Sequence, residues 1–435
     1  MSFLSLGLKP EIQRALTAIG YVIPTPIQLA VIPKIQAGKD ILANAETGTG
    51  KTAAFALPLI EMITSADEDS FDNSDKLSAS HLTVLIMTPT RELAIQIEQN
   101  IVQFSQFLPS IKSVAVYGGA SIRPQLTAIN QGVNILVATP GRLFDIVGQH
   151  DLSLSSVKYL VIDEADRMLD LGFVKDIEKV KRLINRDHQT MMFSATFSDE
   201  IKLLADDMLI SPEHINVATT TTAATVTQLA YQVDQRRKAE LLSELIGKHN
   251  WQQVMVFTSR KETADHLQKE LSLDGIKSAV FHGDKSQGAR NKALEEFKSG
   301  KLRVLVATDL AARGLDIQAL PRVINFELPE EPEDYVHRIG RTGRAGLAGE
   351  AISLVSPQEQ ECLEAIEGVI QQRLVLTSIA GYEQGAPLPA RYRELASDPT
   401  KTVKKHARPN RNNRSGQFDK ESSKPQRHGK YSKKK

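Results

Sequence analysis

Short apolar runs recur along most of the chain, and between them lie longer stretches in which apolar residues return every three or four positions. The runs read as buried strands and the intervening stretches as amphipathic helices, an alternation that predicts βαβ units and parallel sheets. In the first half the strands are expected at Ile41–Ala43, Thr83–Met87, Ser113–Val116, Asn134–Val137, Tyr159–Ile162 and Met191–Phe193. The stretch Val217-Ala-Thr-Thr-Thr-Thr-Ala-Ala224 has neither period and interrupts the series. A second set follows at Gln253–Phe257, Ser278–Phe281, Arg303–Val306, Arg322–Asn325 and Glu350–Leu354. The expected organisation is therefore α/β, with two doubly wound domains in tandem: residues 1–208, a linker over 209–226, residues 227–373, and a tail over 374–435. Tandem domains leave a cleft between them, a favoured place for a ligand.

Composition changes this picture mainly at the end of the chain. With 41% hydrophobic and 24% charged residues the body can bury real cores. From Pro399 to Lys435, thirteen Lys or Arg stand against Asp419 and Glu421, a net +11, so residues 1–398 carry −10 of the chain's +1. Almost without aliphatic residues, the tail is expected to be disordered, serving either to solubilise the protein or to tether it to a polyanion through counterion release. The acidic, serine-rich segment from Thr64 to Ser80 reads as an exposed loop, a structural insertion rather than a regulatory element. Cys362 is the single cysteine, which excludes an intramolecular disulfide and a cysteine-based zinc site. No apolar run reaches the ~18 residues of a membrane span, and the start, Met1-Ser-Phe-Leu-Ser-Leu-Gly-Leu-Lys9, lacks a basic n-region. A cytoplasmic protein away from membranes is the expectation.

Candidate chemistry begins after the first strand. Ala45-Glu-Thr-Gly-Thr-Gly-Lys-Thr52 places a glycine-containing loop between a strand and a helix, where backbone N–H groups and the helix dipole face phosphate. Thr47, Gly48, Thr49 and Gly50 would wrap the phosphates, Lys51 would reach the β and γ oxygens, and Thr52 would hold Mg²⁺. Ala45 stands where G-x-x-x-x-G-K-[ST] has its first glycine, so alone this could be a chance match. In Tyr159-Leu-Val-Ile-Asp-Glu-Ala-Asp166, Asp163 and Glu164 emerge at the carboxyl end of a buried strand, where open α/β sheets bind ligands. Asp163 suits a Mg²⁺ ligand and Glu164 a base or orienter for the attacking water. An acidic helix N-terminus would explain the same letters, but not a phosphate-binding lysine upstream in the same domain.

Asp163-Glu-Ala-Asp166 together with the loop at 45–52 resembles the DEAD-box ATP-dependent RNA helicases, whose P-loops commonly begin with Ala. The resemblance covers roughly residues 1–356 and implies two RecA-like domains, ATP and Mg²⁺ as cofactors, and single-stranded or short duplex RNA, bound without sequence preference, as partner. It implies that Gly20-Tyr-Val-Ile-Pro-Thr-Pro-Ile-Gln28, with Phe3 upstream, is the adenine site: Gln28 reading the base edge and Tyr21 stacking on it. Within His337-Arg-Ile-Gly-Arg-Thr-Gly-Arg344 it makes Arg341 and Arg344 arginine fingers, worth ~10³–10⁵ in rate. Asp316 would contact the ribose and Arg313 would fall near the interdomain face. Asp166, Ser194, Thr196 and His337 would couple hydrolysis to unwinding, with Ser194 hydrogen-bonded to Asp166; a plain helix cap would explain Ser194-Ala-Thr196 equally.

The resemblance further implies RNA contacts at Pro89, Thr90, Arg91, Gly119, Thr139, Gly141 and Arg142 on the first domain and Thr258, Arg260, Gly283, Gln287, Thr308 and Asp309 on the second. With aromatics at 5% and no RNP-like pattern, a grip on the backbone is expected rather than base stacking. Local unwinding of short duplexes or remodelling of RNA–protein complexes through ATP-driven domain closure is the expected function. Two alternatives are a non-enzymatic RNA scaffold working through the tail and a DNA translocase, which DNA would stimulate as well as RNA. Leu6-Gly-Leu-Lys-Pro-Glu-Ile-Gln-Arg-Ala-Leu16 and Phe197-Ser-Asp-Glu-Ile-Lys202 resemble the bacterial RhlE-like subgroup, which implies ribosome assembly or RNA turnover, with ribosomal-precursor or RNA-decay proteins as partners.

Overall fold

The computed structural model describes residues 2–45, 48–69, 82–150, 152–217, 226–312, 315, 317, 320–343 and 349–387. The apolar runs form two seven-stranded sheets, each wholly parallel. The first contains β1 (Ile41–Asn44), β2 (Val84–Met87), β3 (Ser113–Val116), β4 (Ile135–Ala138), β5 (Tyr159–Ile162), β6 (Gln189–Ser194) and β7 (Glu213–Asn216), in the order 3-4-2-5-6-1-7. The second contains β8 (Val226–Gln232), β9 (Val254–Thr258), β10 (Ser278–Phe281), β11 (Val304–Thr308), β12 (Arg322–Asn325), β13 (Gly349–Val355) and β14 (Leu376–Ser378), in the order 10-11-9-12-13-8-14.

Because successive strand residues face opposite sides, each run feeds two cores. Ile41 and Ala43, with Val84 and Ile86, pack under the helices Pro26–Gln36, Lys51–Asp69 and Arg91–Phe104. Leu42, Leu85 and Met87 face the other way, toward Leu143, Met168, Ile177 and Ile201. Phe55 lies against Phe193 with ring centroids 5.3 Å apart, tying the helix after the first strand to β6. The second domain repeats the plan, Val254 and Val256 facing Leu241 and Leu267 while Met255 and Phe257 face Phe297 and Ala293.

The edges differ from the expected boundaries. Glu213–Asn216 lies inside the expected linker, yet pairs residue for residue with Ile41–Asn44 as the edge strand β7. The described end of the first domain is thus Val217, and residues 218–225 of the expected linker fall outside the described residues. Leu376–Ser378, expected in the tail, pairs with Ala230–Gln232. The chain beyond it stays pinned: Tyr382 is buried and its hydroxyl donates to Glu244, while the Gly385 N–H donates to Asp234 at 3.1 Å. The second domain therefore runs past 373, and the rest of the expected tail, from 388, lies outside the described residues. The helix Lys51–Asp69 carries into the expected 64–80 loop, of which 70–80 are likewise outside.

Candidate active site and nucleic-acid face

All strands of a parallel sheet end on one edge, so β1, β5 and β6 deliver the residues that follow them to one place. Ala45 is held there by its N–H donating to the Ser194 carbonyl at 3.0 Å. Gly48 and Gly50 take φ of +87° and +95°, turning the loop into the first turn of Lys51–Asp69. A Cβ on Gly50 would come 2.5 Å from Gln28 Nε2. Thr47 lies outside the described residues; Thr49 and Thr52 are described beside it. The Lys51 ammonium lies 3.6 Å from Asp163 Oδ1, the two side chains 6% and 3% exposed, with no hydrogen-bond acceptor on Nζ. A buried ammonium with open donors fits phosphate oxygens, and the buried Asp163 carboxylate beside it fits a hard cation. Among the described residues no group of three or more His, Cys, Asp or Glu side chains could hold a metal alone, so a cation here would draw further oxygens from water and nucleotide.

Glu164 adopts left-handed backbone (φ 53°, ψ 53°) at the head of Ala165–Asp170, a conformation that costs a glutamate about 1–3 kcal/mol and marks functional positions. Burial raises the carboxyl of Asp163, and Lys51 opposes the rise. Burial also raises that of Glu164, with Lys51 and, from the second domain, Arg341 opposing. Asp166 Oδ2 accepts from Ala195 N at 2.9 Å, Thr196 N at 3.1 Å and Thr196 Oγ1 at 3.4 Å. Ser194 was expected to bond Asp166, but its hydroxyl donates to the Thr196 carbonyl at 2.7 Å. Ser194 ends a buried strand and its side chain turns back onto its own loop, so Thr196 and two backbone amides make the link.

A cleft of about 900 Å³ is lined on one side by Lys51, Glu164, Asp166 and Thr196 and on the other by Glu331, Glu333, Asp334, His337 and Arg341. Arg341 is buried, its Nη1 donating to the Leu315 carbonyl at 2.7 Å. Arg344 and Asp316, and with them Arg313, lie outside the described residues. Gln28 is buried; its Oε1 accepts from Thr25 N at 2.9 Å and its Nε2 donates to the Gly50 carbonyl at 3.2 Å, so the residue expected to read adenine is fastened to the phosphate loop. Phe3 is in the hydrophobic core at 5% exposure, and Tyr21 sets its ring edge against Phe104 at 5.9 Å. Phe3 is thus a core residue, while Tyr21 touches Phe104 and keeps 39% of its surface exposed.

The other strand ends carry the expected RNA residues. Following β2, β3 and β4, three neighbours in the sheet, Pro89–Arg91, Gly119 and Thr139–Arg142 come together. Gly119 (φ +72°) leaves room for Arg91: a Cβ there would sit 1.9 Å from Nη1. Arg142 Nη2 donates to the Ala120 carbonyl at 3.0 Å, and the Thr90 hydroxyl caps the helix at Leu93 N. On the second domain, Thr258 and Thr308 are buried at the ends of β9 and β11, and the Thr258 hydroxyl donates to the Arg260 carbonyl. A Cβ on Gly283 would come 4.0 Å from the end of the Lys261 side chain.

Two expected RNA residues are engaged with protein. Gln287 Nε2 donates to Glu92 Oε1 on the first domain at 2.9 Å, because the first turn of Gln287–Lys298 faces the first turn of Arg91–Phe104. Arg290 Nη2 meets the same Glu92 oxygen at 2.9 Å, with side chains 7% and 9% exposed. Asp309 gives both carboxylate oxygens to Arg338. Glu92, Arg290 and Arg338 were not singled out from the sequence. Arg290 follows Gln287 by three residues, one helical turn on the same face, and that spacing was the available signal.

Two parallel-sheet domains, a phosphate loop on one and an arginine of the other across the same cleft define a two-domain P-loop nucleoside triphosphatase. The DEAD/DEAH box helicase family matches residues 25–204, and the helicase conserved C-terminal domain matches residues 237–346. The chain is 38% identical over 375 residues to the DEAD-box ATP-dependent RNA helicase CshA of Bacillus subtilis (strain 168), covering 86% of this chain and 73% of that one. It is likewise 38% identical over 375 residues to the CshA of Streptococcus pneumoniae serotype 4, covering 86% and 69%. Among solved structures, the DEAD-box helicase Mss116 bound to ssRNA and UDP-BeF superposes with a TM-score of 0.78 at 26% identity, covering 87% of this chain and 80% of that one. Dbp5 of S. cerevisiae bound to RNA and ADP BeF3 gives 0.73 at 29% identity, covering 87% and 95%. The chain belongs to the DEAD-box ATP-dependent RNA helicases. No helix among the described residues is long and apolar enough to cross a membrane.

Proposed function

We propose that the cleft hydrolyses ATP only while both domains hold RNA, and that this closure strips short duplexes or remodels RNA–protein complexes. The observation that carries it is that Lys51, Glu164 and Arg341, from two domains, line one cavity. Lys51 binds the terminal phosphates, Glu164 orients and accepts a proton from the attacking water, and Arg341, with Arg344, neutralises charge in phosphoryl transfer. Thr52 and Asp163 would hold Mg²⁺, whose part is to neutralise the phosphate oxygens. Gln28 and Tyr21 select adenine, and Asp316 holds the ribose. Thr196 and Asp166 tie the water-activating segment to the strand end that moves on closure, and His337 faces them across the cleft.

Arg91, Gly119, Thr139, Gly141 and Arg142 grip the RNA backbone from one side and Arg260, Gly283 and Thr308 from the other, a mode indifferent to sequence. Lys51→Ala and Glu164→Gln are each expected to abolish RNA-stimulated ATPase; unchanged turnover in either refutes the assignment. At a finer grain, Leu6–Leu16 and Phe197–Lys202 support a place in the RhlE-like subgroup, and with it a cytoplasmic role in ribosome assembly or RNA turnover. Crosslinking in cells followed by sequencing of the bound RNA tests that role, and recovery of neither ribosomal-precursor nor decay-pathway RNA refutes it.

A further inference from the structure

Arg338 is a deeply enclosed cation of the second domain, 1% exposed. A buried guanidinium is tolerated when its donors are all met. Here Nε and Nη2 donate to the two oxygens of Asp309 at 2.5 and 2.6 Å, a bidentate pair. Nη1 donates to Asn325 Oδ1 at 3.3 Å and to the Glu327 carbonyl at 2.5 Å, and the guanidinium lies 5.3 Å from the centre of the Phe257 ring.

Two of those partners, Phe257 and Asp309, adjoin strand ends of the proposed RNA face. Phe257 precedes Thr258 at the end of β9, and Asp309 follows Thr308 at the end of β11. Arg338 itself sits near the end of the helix Pro332–Ile339, between His337 and Arg341, both of which line the ATP cleft. A small void of about 10 Å³ lies among Phe257, Asp309, Ala312, His337, Arg338 and Arg341. One side chain therefore joins the segment expected to meet RNA to the segment expected to meet the γ-phosphate.

We propose that the Asp309–Arg338 pair is the positioning element through which a strand held at Thr308 sets Arg341 in the cleft, so that Asp309 serves RNA-stimulated turnover without touching RNA. This rests on the reading of Arg341 as the arginine finger. A bidentate pair transmits both the distance and the plane of the guanidinium, which a single hydrogen bond does not. Displacing a group that acts on the reacting phosphate by about 1 Å costs on the order of 10²-fold in rate.

The test moves the carboxylate instead of merely deleting it. In Asp309→Asn/Asn325→Asp, Arg338 keeps a carboxylate partner, now on β12, and Ser353 Oγ remains within reach of position 325. A purely structural pair predicts that the relocated charge restores both melting temperature and RNA-stimulated kcat. The positioning role predicts restored melting temperature, RNA affinity within about threefold of wild type, and RNA-stimulated kcat lower by about 10²-fold. Wild-type stimulation in a folded double variant overturns the proposal. Should the double variant melt below assay temperature, Asp309→Glu decides, since it keeps the charge and shifts the guanidinium by one methylene: lost stimulation supports the role and full stimulation overturns it. If the wild-type chain itself shows no stimulation by RNA, the reading of the cleft falls first, and the proposal with it.

Discussion

Glu92 accepts from both Gln287 and Arg290 across the domain boundary, and the consequence of breaking that contact can be worked through. In an open protein both Glu92 and Arg290 regain water, so the pair contributes to the closed state alone. Burial pulls Arg290 below its ordinary value, and Glu92 opposes that, so the guanidinium depends on this carboxylate for compensation in the closed form. Truncating one partner of a buried, hydrogen-bonded pair at an interface costs about 2–5 kcal/mol. Gln287 stays on Glu92 in Arg290→Ala, which argues for the lower part of that range, about 3 kcal/mol or on the order of 10²-fold in the closing equilibrium. Loss of the Arg290 stack over Phe281, 4.8 Å away, weakens only the second domain's own surface. The assay is energy transfer between dyes on the two domains, with ATP and RNA added, beside RNA-stimulated ATPase. Arg290→Ala should need far more RNA to close and should keep its melting temperature without ligands. The exchange Glu92→Arg/Arg290→Glu should recover part of the closure. Closure of Arg290→Ala within about threefold of wild type, a difference under 1 kcal/mol, refutes the reasoning.

Further expectations are narrower. Burial raises the Glu164 carboxyl above its unfolded value, so the folded protein keeps that proton over a window beginning near the ordinary carboxylate range and extending upward; stability is lost as pH rises through it. Glu164→Gln should therefore raise the melting temperature of the nucleotide-free protein at neutral pH while removing turnover, and a lower melting temperature contradicts this. Gly119→Ala forces a Cβ onto Arg91 at a φ of +72°, so RNA affinity by anisotropy should fall while ATP binding without RNA holds; unchanged affinity would free Arg91 from its assigned contact. Gly349→Ala drives a Cβ to 2.1 Å from Gly343 N and should lower kcat by about tenfold or more through Arg341, checked by steady-state ATPase. Removing residues 399–435 takes away a net +11, and the plot of log affinity for RNA against log salt should become shallower, with ATPase at saturating RNA retained.

What the chain discloses before folding follows from which residues carry a local pattern. Runs such as Val84–Met87 and Tyr159–Ile162 are apolar because both sheet faces are covered, and they stand out. Glu213–Asn216 and Leu376–Ser378 are edge strands with polar or exposed positions, and no run announces them. Lys51, Asp163 and Glu164 carried a local signal because phosphate chemistry confines residue types to short spacings, whereas Arg341 was reached only through the family resemblance; the structure sets Lys51, Glu164 and Arg341 on one cleft. Hydrogen-bond choices carried no such signal: whether Gln287 turns to RNA or to Glu92, or Asp309 to solvent or to Arg338, is decided by tertiary neighbours distant in the chain.

The first turn of Arg91–Phe104 holds two adjacent side chains with opposite loyalties: Arg91 lies against Gly119 in its own domain, and Glu92 reaches Gln287 and Arg290 across the boundary. Substitutions at 91, 92, 119, 287 and 290 share partners, so their effects should not add. In a pairwise map of mutational epistasis these five positions would form one block, its longest arm joining residues 92 and 290. That arm would be visible only under selection for the RNA-bound, closed protein and would fade in a screen that scores folding alone.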